Sequence, residues 1–391
     1  MRKVKSNIGF PKTVDKSSAS NVIRLSELLT KGRKTLKPSY LKDKDLRDAY
    51  IHYYVPVNMY KILVPLRELA IHPSRIFEKE MVRVLDLGSG PGTAILGILD
   101  FFSSRGKRPY LKFTAVDPIS ENLLETERLF KLFIEKGNAD ASLLTIKSTI
   151  EKSKSLADSP FDIITLSNVL SEIAHRYNQK IRRRINLLKT IINRSLTHDG
   201  SCIIIEPALR DTSREMLEVR DGLVEEGFNI YSPCLMNEMC PALTNPADWC
   251  HEDIPWEPPE IIKEIDRITG LRKDSLKFSY LIIRKDSLSI RDIYDNKSFR
   301  GNNSFRVVSE PLISKGKLEF YICGTGGRRL IVRLDKDSSM TNKPFETIRR
   351  GDIVSFEHTA DEGKRLKLTK DTTVTKIVSR FILTGTTHSI Y

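Results

Sequence analysis

A short glycine-rich loop is the first feature of the sequence that could bind a ligand. Residues 86–92 have the sequence Asp-Leu-Gly-Ser-Gly-Pro-Gly and overlap an apolar run at 82–87. Glycine has no Cβ, so the backbone can turn tightly there and come close to a bound molecule. The next residues, 93–102, have a helical pattern. A strand, a glycine loop and a helix in this order are typical of nucleotide-binding sites.

A carboxylate follows on the next predicted strand. Asp117 ends the segment 112–117, 25 residues after Gly92, where it can accept hydrogen bonds from ribose hydroxyls. The NAD fingerprint requires a glycine at position 93, and this residue is Thr93. The D-x-G-x-G-x-G spacing instead resembles the first motif of S-adenosylmethionine (SAM)-dependent methyltransferases, and this resemblance implies SAM as the cofactor.

Asn168 follows the predicted strand 161–166 and is a further candidate for binding the cofactor. The candidate cofactor-binding residues are therefore Asp86, Gly88, Gly90, Gly92, Asp117 and Asn168. Amino-directed nucleobase methyltransferases usually carry Asp/Asn-Pro-Pro-aromatic at this point, and residues 167–170 are Ser-Asn-Val-Leu. Cys234 follows Pro233 but lies beyond the strand where a C5-cytosine methyltransferase carries its nucleophile. No catalytic residue is assigned, and such a fold can also persist without turnover.

Five cysteines form the second set of reactive residues: Cys202, Cys234, Cys240, Cys250 and Cys323. So few thiols in so long a chain favour a reducing compartment over a disulfide scaffold. Cys202 lies in an apolar strand and is expected to be a buried core thiol. The other four could bind zinc or an iron–sulfur cluster, with His251 as a rival ligand. Because no C-x-x-C pair occurs, the spacing alone is weak evidence for a metal and favours ordinary free thiols.

The elements that must position these residues alternate between strand and helix. Near-continuous apolar strands are expected at 82–87, 112–117, 161–166 and 201–206, with helices between them. This pattern predicts an α/β fold with a parallel, doubly wound sheet of the SAM-methyltransferase type, covered on both faces. Shorter strands near 305–309, 318–323, 330–334, 352–357 and 373–378 predict a small C-terminal β-barrel of the OB type.

Four regions are expected along the chain. Residues 1–48 form a basic mobile arm with a short helix near 22–29, and residues 49–285 form a helical lead-in plus the methyltransferase-like domain. Residues 286–303 are a polar linker, and residues 304–391 are the small barrel. A proline-rich insertion at 233–260 holds three of the cysteines, and insertions of this length are usually functional or disordered.

The net charge of +14 is concentrated at the two ends. Residues 1–48 carry 13 basic and 5 acidic residues, and residues 277–391 carry 22 and 13. This asymmetry favours binding of a polyanion such as RNA, although solvated lysine faces are the simpler alternative. No apolar run approaches the roughly 20 residues of a membrane span, so no membrane partner is expected. Residues 1–40 hold only two acids, which leaves a mitochondrial transit peptide open.

Several short segments resemble one family, the mitochondrial-type small-ribosomal-subunit methyltransferase-like proteins, which have relatives in prokaryotes. The resemblance covers about residues 48–334 and lies in four segments. These are Ala49-Tyr-Ile-His-Tyr-Tyr-Val-Pro56, Cys234-Leu-Met-Asn-Glu-Met-Cys240-Pro241, Asp248-Trp-Cys-His251 and Lys277-Phe-Ser-Tyr-Leu281. The stretch between Cys240 and Cys250 departs from the family's proline- and glycine-richer form.

The resemblance implies partners, a second cofactor and a place of action. The partners are the small ribosomal subunit and its rRNA, and the chain is expected to be a monomer. The expected compartment is the cytoplasm if the chain is prokaryotic, with the mitochondrial matrix as the alternative. The second cofactor is a [4Fe–4S] cluster, with zinc as the alternative, on Cys234, Cys240, Cys250 and Cys323. An rRNA methyltransferase and a non-catalytic ribosome assembly factor, in which SAM and the cluster are structural, both stay open. The basic ends argue against a small-molecule methyltransferase.

Overall fold

A computed structural model describes residues 15–32, 36, 39–71, 75–105, 108–136, 139–152, 160–293, 303–363 and 365–379. The chain divides into two compact units. Among the described residues, unit 1 comprises those between 15 and 206 and those at 254–276, and unit 2 comprises those at 207–253 and those between 277 and 379. The region boundaries expected at 48, 285 and 303 stay predictions. Over the described residues, no helix is long and apolar enough to cross a membrane.

Helices form the N-terminal part of unit 1. They are α1 (Lys16–Thr30), α2 (Lys44–Ala49), α3 (Val55–Asn58) and α4 (Leu63–Ile71), with a π-helical turn at Tyr50–Tyr54. Helix α1 is longer than the short helix expected near 22–29, and its residues Ala19, Val22 and Leu25 are buried. The Tyr53 hydroxyl donates a 2.5 Å hydrogen bond to Asp266 of α9 (Glu260–Thr269). The basic arm therefore contains a packed helix.

The core of unit 1 is a parallel sheet. Its strands are β1 (Met81–Leu87), β2 (Tyr110–Asp117), β3 (Ala141–Lys147), β4 (Phe161–Ser167) and β5 (Leu196–Pro207). Their order is β3-β2-β1-β4-β5, and every neighbouring pair is parallel. Four of these strands were expected, because burial on both faces makes them almost continuously apolar. Strand β3 was not expected, since it is only half-buried and contains no such run.

Three helices connect these strands: α5 (Thr93–Ser103), α6 (Ser120–Glu135) and α7 (Lys180–Ser195). Helix α5 starts directly after Gly92, and nine of its eleven residues are buried, so it packs as an interior helix. The alternation of parallel strands and helices confirms the predicted α/β class. It also brings the carboxyl ends of β1, β2 and β4 to one edge of the sheet, where open α/β sheets bind ligands.

Unit 2 contains the insertion and the C-terminal sheet. Its first elements are α8 (Arg210–Glu225), β6 (Asn229–Ser232), β7 (Glu252–Pro255) and β8 (Ser275–Arg284), and β6 is antiparallel to β8. The last two residues of β7 and the first two residues of β8 are assigned to unit 1. Residues 233–251 are fully described and contain only a 3-10 turn at Pro241–Leu243. The remainder of the expected insertion, 252–260, contains β7 and the first residue of α9, and the bounds of the insertion stay a prediction.

Eight strands form the C-terminal sheet of unit 2. They are β9 (Ser304–Val307), β10 (Leu312–Ser314), β11 (Lys317–Gly324), β12 (Gly327–Leu334), β13 (Ile353–Glu357), β14 (Ala360–Asp361), β15 (Arg365–Lys367) and β16 (Thr373–Val378). Their order is β14-β15-β12-β11-β9-β13-β16, with β10 paired to β11. The sheet curls around a core of Phe305, Phe320, Phe345 and Phe356. The five expected strands are present, and the short β10, β14 and β15 are additional.

Candidate functional site

The glycine loop lies between β1 and α5. Its glycines have φ angles of +69° (Gly88), +53° (Gly90) and +81° (Gly92), a region that side-chain-bearing residues rarely adopt. A Cβ on Gly88 would lie 2.6 Å from Val169, and a Cβ on Gly92 would lie 2.8 Å from Thr126. A Cβ on Gly90 would meet no atom within 4 Å. Two glycines are therefore needed for packing, whereas Gly90 borders open space that a ligand can occupy.

Hydrogen bonds hold the peptide groups around Gly90 from two sides. The Gly90 amide donates to Asp117 Oδ2 at 2.9 Å, and the Thr126 hydroxyl donates to the Gly90 carbonyl oxygen at 2.8 Å. The Gly88 amide donates to the Val116 carbonyl at 2.8 Å, which ties the loop to β2. The loop is thus rigid before any ligand binds. Sequence reasoning missed Thr126, because a helical threonine carries no motif.

Asp117 is the buried acid at the end of β2. Besides the Gly90 amide, its side chain accepts hydrogen bonds from the Ile119 amide at 2.9 Å and from Asn122 Nδ2 at 3.1 Å. Burial raises the pKa of Asp117, and the bonds from the Ile119 and Gly90 amides oppose that rise. A carboxylate offers about four acceptor positions, so one remains for a ligand. The structure therefore gives this acid a role in holding the loop that the sequence did not reveal.

Asp86 is the most deeply buried acid of the loop, at 1% exposure. Its Oδ1 accepts a 2.6 Å hydrogen bond from the Thr165 hydroxyl on β4. Its Oδ2 is buried and has no hydrogen-bond partner among the described residues. Burial raises the pKa of Asp86 to about 7, and the charge of Asp117 acts in the same direction. A buried acceptor left without a donor is costly, so a donor or cation on a ligand would be favourable here.

Asn168 lies beside the loop, just past the end of β4. Its φ is +59°, and its amide donates to the Ile205 carbonyl on β5 at 2.7 Å. The next residue, Val169, packs against Gly88. All the predicted cofactor-binding residues thus lie at the same edge of the sheet, at the carboxyl ends of β1, β2 and β4. Their role in binding a cofactor stays a prediction.

The segment after β4 is fixed by Arg184 of α7. This side chain is 1% exposed, and it donates to the carbonyls of Ile173 at 2.9 Å and Ser171 at 2.8 Å. The sequence suggests that the run 182–184 contacts phosphates, and for Arg184 this is wrong because its helical position faces inward. Arg182 and Arg183 are exposed.

Four cysteines line one cavity of about 50 Å³ in unit 2: Cys234, Cys240, Cys250 and Cys323. Burial, followed by the charge of Cys234, raises the pKa of both Cys240 and Cys323 to about 12. The four thiols therefore share one cavity, in which burial disfavours the ionised form of Cys240 and Cys323. Cys202 does not line this cavity and is fully buried in β5, as expected. Within the described ranges, no three His, Cys, Asp or Glu side chains are grouped as they would be around a single metal ion.

Arg220 anchors the segment that carries the first two thiols. Its buried guanidinium donates to the carbonyls of Met236 and Glu238 and, at 2.7 Å, to Asp221 Oδ1. The Cys240 amide in turn donates to Asp221 at 3.0 Å. The positions of Cys234 and Cys240 thus depend on a helix that the sequence analysis did not connect with them.

Arg214 lies six residues before Arg220 on α8 and anchors the next segment of the insertion. Its Nη1 donates to the carbonyls of Ala242 at 3.1 Å, Asn245 at 2.8 Å and Asp248 at 2.7 Å. The Asp248 side chain accepts a 2.5 Å hydrogen bond from Arg328, which lines the cavity. Arginine–carbonyl hydrogen bonds from α8 therefore reach the insertion at six positions between 236 and 248.

His251 lies at the rim of the thiol cavity. Its ring stacks on Trp249, with centroids 5.5 Å apart and planes inclined by 17°. Burial, aided by the charge of Arg350, lowers the pKa of His251 to about 4, so this histidine is neutral. Its Nδ1 and the Trp249 Nε1 are buried and have no hydrogen-bond partner among the described residues. A neutral imidazole with an open nitrogen keeps His251 a possible ligand.

The parallel sheet, with a glycine loop after its first strand and an acid at the end of its second, defines a Rossmann-like α/β protein. Residues 48–347 match the family described as mitochondrial small ribosomal subunit Rsm22, and the chain belongs to that family. No curated protein matches the sequence.

The chain also has low similarity to solved structures of methyltransferases. The plantazolicin methyltransferase BpumL, in complex with SAH, is 18% identical over 68% of this chain and 99% of its own, with a TM-score of 0.35. An rRNA methylase from Streptococcus thermophilus is 11% identical over 57% of this chain and 95% of its own, with a TM-score of 0.29. NSun6 from Pyrococcus horikoshii, with SFG, is 14% identical over 56% of this chain and 52% of its own, with a TM-score of 0.34.

Proposed function

We propose that this chain is a SAM-dependent methyltransferase-like protein that acts on the RNA of the small ribosomal subunit. The observation that carries the proposal is the open space at Gly90, in a loop that begins with the buried Asp86 and is hydrogen-bonded to Asp117. The family's description supplies the ribosomal partner. The two basic ends of the chain suit a polyanion of this kind.

The residues at the sheet edge would bind and orient the cofactor. SAM supplies an activated methyl group on a sulfonium. Asp86 would accept a hydrogen bond from the ammonium of SAM, and Asp117 would accept one from a ribose hydroxyl of SAM. Gly90, which has no side chain, would allow both parts of SAM to come close to the loop. Asn168 would border the same space. The proposal assigns no general base, since neither sequence nor geometry singles one out.

Methyl transfer is tested by incubating the protein with radiolabelled SAM and immature small-subunit particles and mapping any labelled nucleotide. Label in one nucleotide supports the enzyme. SAM binding without label in any RNA supports the second candidate, a non-catalytic assembly factor. The stretch Ser167-Asn168-Val169-Leu170 lacks the motif of amino-directed enzymes, which weakens methylation of an exocyclic amine but does not separate the two candidates.

We also propose that the thiol cavity holds a [4Fe–4S] cluster on Cys234, Cys240, Cys250 and Cys323. Four thiols around one cavity match the ligand number of such a cluster. Each thiolate of a cluster binds a different iron, so the sulfurs need not gather around one point as they do around zinc. Arg220 and Arg328 line the same cavity, and their charges would offset that of the thiolates. Iron–sulfur is preferred over zinc because of the resemblance to the family, since the two arginines would offset the charge of either site.

Protein purified without oxygen tests the cluster through its iron and sulfide content and its visible absorbance. Each serine substitution of the four cysteines should remove the cluster, whereas Cys202→Ser is the matched control and should retain it. Colourless protein with one zinc per chain would overturn the iron assignment and keep the site. Unchanged iron content in all four variants would overturn the site as well.

We propose the mitochondrial matrix as the place of action. The family's description supports this, with the cytoplasm as the alternative for a prokaryotic chain. Imaging of a tagged chain in its native cell, with ribosomal fractions probed for co-sedimentation, separates the two.

A further inference from the structure

An exposed aromatic–arginine pair lies at the start of α7. The Arg183 guanidinium carbon is 4.1 Å from the centroid of the Tyr177 ring, which is stacking distance. Tyr177 is nevertheless 55% exposed. Because Arg183 covers one face of the ring, the exposed surface must come from the other face and the edge. We call Arg176, Tyr177, Arg182 and Arg183 the α7 surface.

The charge of the α7 surface is uncompensated. Residues 173–198 contain seven arginines and lysines and no aspartate or glutamate. Arg176, Arg182 and Arg183 are exposed, and none of the ion pairs between described residues includes them. Some other exposed arginines of this unit are paired, as Arg128 is with Glu125 at 2.7 Å and Arg24 is with Asp43 at 3.1 Å, whereas three unpaired ones lie close together here. A cluster of free cations attracts a polyanion more strongly than such neutralised pairs do.

The α7 surface is also held rigidly at the ligand-binding edge of the sheet. The segment that carries Tyr177 begins at Asn168, directly after β4. Arg184 ties this segment to α7 through the carbonyls of Ser171 and Ile173, and the Tyr177 amide donates to the Ala174 carbonyl at 3.0 Å. A rigid aromatic ring loses little conformational entropy when a ligand stacks on it.

We propose that the α7 surface binds an unpaired stretch of RNA, with one base stacked on the open face of Tyr177 and phosphates paired with the three arginines. This inference rests on the proposed RNA function and specifies the form of the substrate. A base in a duplex keeps its faces stacked on its neighbours, so only an unpaired base can reach the face of a tyrosine. The arginines supply the sequence-independent attraction of the backbone.

Direct binding of the full chain to RNA, without SAM, tests this inference. The probes are a fluorescent single-stranded RNA of about 20 nucleotides, which exceeds the usual site size, and its duplex. Tyr177→Ala should weaken single-strand binding about fivefold or more and leave the salt dependence unchanged, whereas Tyr177→Phe should bind like the parent. Arg183→Gln should flatten the slope of log affinity against log salt by about 0.7. Arg183→Lys should keep the slope and still lose affinity, since an ammonium does not stack.

Arg128→Gln is the matched control, because it removes one exposed cation on another helix and should change little. If the unsubstituted protein does not bind RNA, the proposed RNA function itself is overturned. Tight RNA binding that Tyr177→Ala does not weaken would overturn only the α7 surface. Equal affinity for the duplex, with equal sensitivity to Tyr177→Ala, would also overturn it, because stacking on an unpaired base could not explain that result.

Discussion

Asp86 should make SAM binding depend on pH. In the unliganded protein, its second carboxylate oxygen is buried without a partner, and burial raises its pKa from 3.8 to about 7. Ionising Asp86 in the folded chain therefore costs about 4 kcal/mol more than ionising an exposed aspartate, an order-of-magnitude figure. A ligand ammonium placed at that oxygen would remove most of this cost.

The size of the effect follows from the pKa. At pH 6 only about one-tenth of Asp86 is ionised, so binding of the ammonium must release about 0.9 proton. SAM affinity should rise about tenfold per pH unit below 7, flatten near pH 7 and fall again once the ammonium of SAM loses its proton, at about pH 8. Asp86→Asn should abolish this dependence. The amide oxygen can still accept the Thr165 hydrogen bond, so the fold of the loop is kept.

Stability should change with pH in the opposite direction. A pKa raised in the folded state means that the folded chain retains a proton that the unfolded chain has lost. The stabilising contribution is complete below pH 3.8, falls as pH rises towards about 7 and is absent above it. Urea unfolding of the unliganded protein at pH 5 and 8 should show this loss in the parent and a flatter profile in Asp86→Asn.

Calorimetric titration with SAM at pH 6, in two buffers of different ionisation enthalpy, counts the released protons directly. The same titration at pH 8.5 should show almost no release. Proton release that is absent at pH 6, or equal in the parent and in Asp86→Asn, would refute the placement of the ammonium at Asp86.

Three further predictions concern the loop, the first helix and the insertion. Gly90→Ala should lower SAM affinity, whereas Gly227→Ala, at an equally open glycine with positive φ, should cost similar stability and leave affinity unchanged in calorimetry. Leu25→Ala should lower the free energy of unfolding by about 2–5 kcal/mol in urea, because this side chain is fully buried; no change would mean that α1 is not packed. Arg220→Met should lower the melting temperature and the iron content together, because it removes the hydrogen bonds to two carbonyl groups and to Asp221. Arg210→Met, at an exposed position of the same helix, is the control and should alter neither quantity.

The parallel sheet could be predicted because its signal is local. The apolar run at 82–87 became β1 (Met81–Leu87), and the run at 161–166 became β4 (Phe161–Ser167). Strand β3 could not be predicted in the same way, since its half-buried residues mix polar and apolar types. A strand that is buried on both faces consists almost entirely of apolar residues, whereas a half-exposed strand does not.

The anchoring arginines lay beyond sequence reasoning for a different reason. Arg220 contacts carbonyls 16 and 18 residues away, and any residue in the insertion would have offered the same carbonyl group. Arg184 did have a signal: it is spaced four residues from Leu188, on the buried face of α7. Its position within a basic triplet drew attention to its charge and away from this spacing.

The arginine contacts also decide how freely the insertion can vary. Arg214 and Arg220 bind main-chain oxygens of Met236, Glu238, Ala242, Asn245 and Asp248, and a main-chain oxygen is the same whatever the side chain. Substitutions at such positions leave these hydrogen bonds available, provided that the backbone path is kept. The insertion can therefore drift in composition while its thiols stay in place, and the shortage of proline and glycine between Cys240 and Cys250 is compatible with an unaltered scaffold.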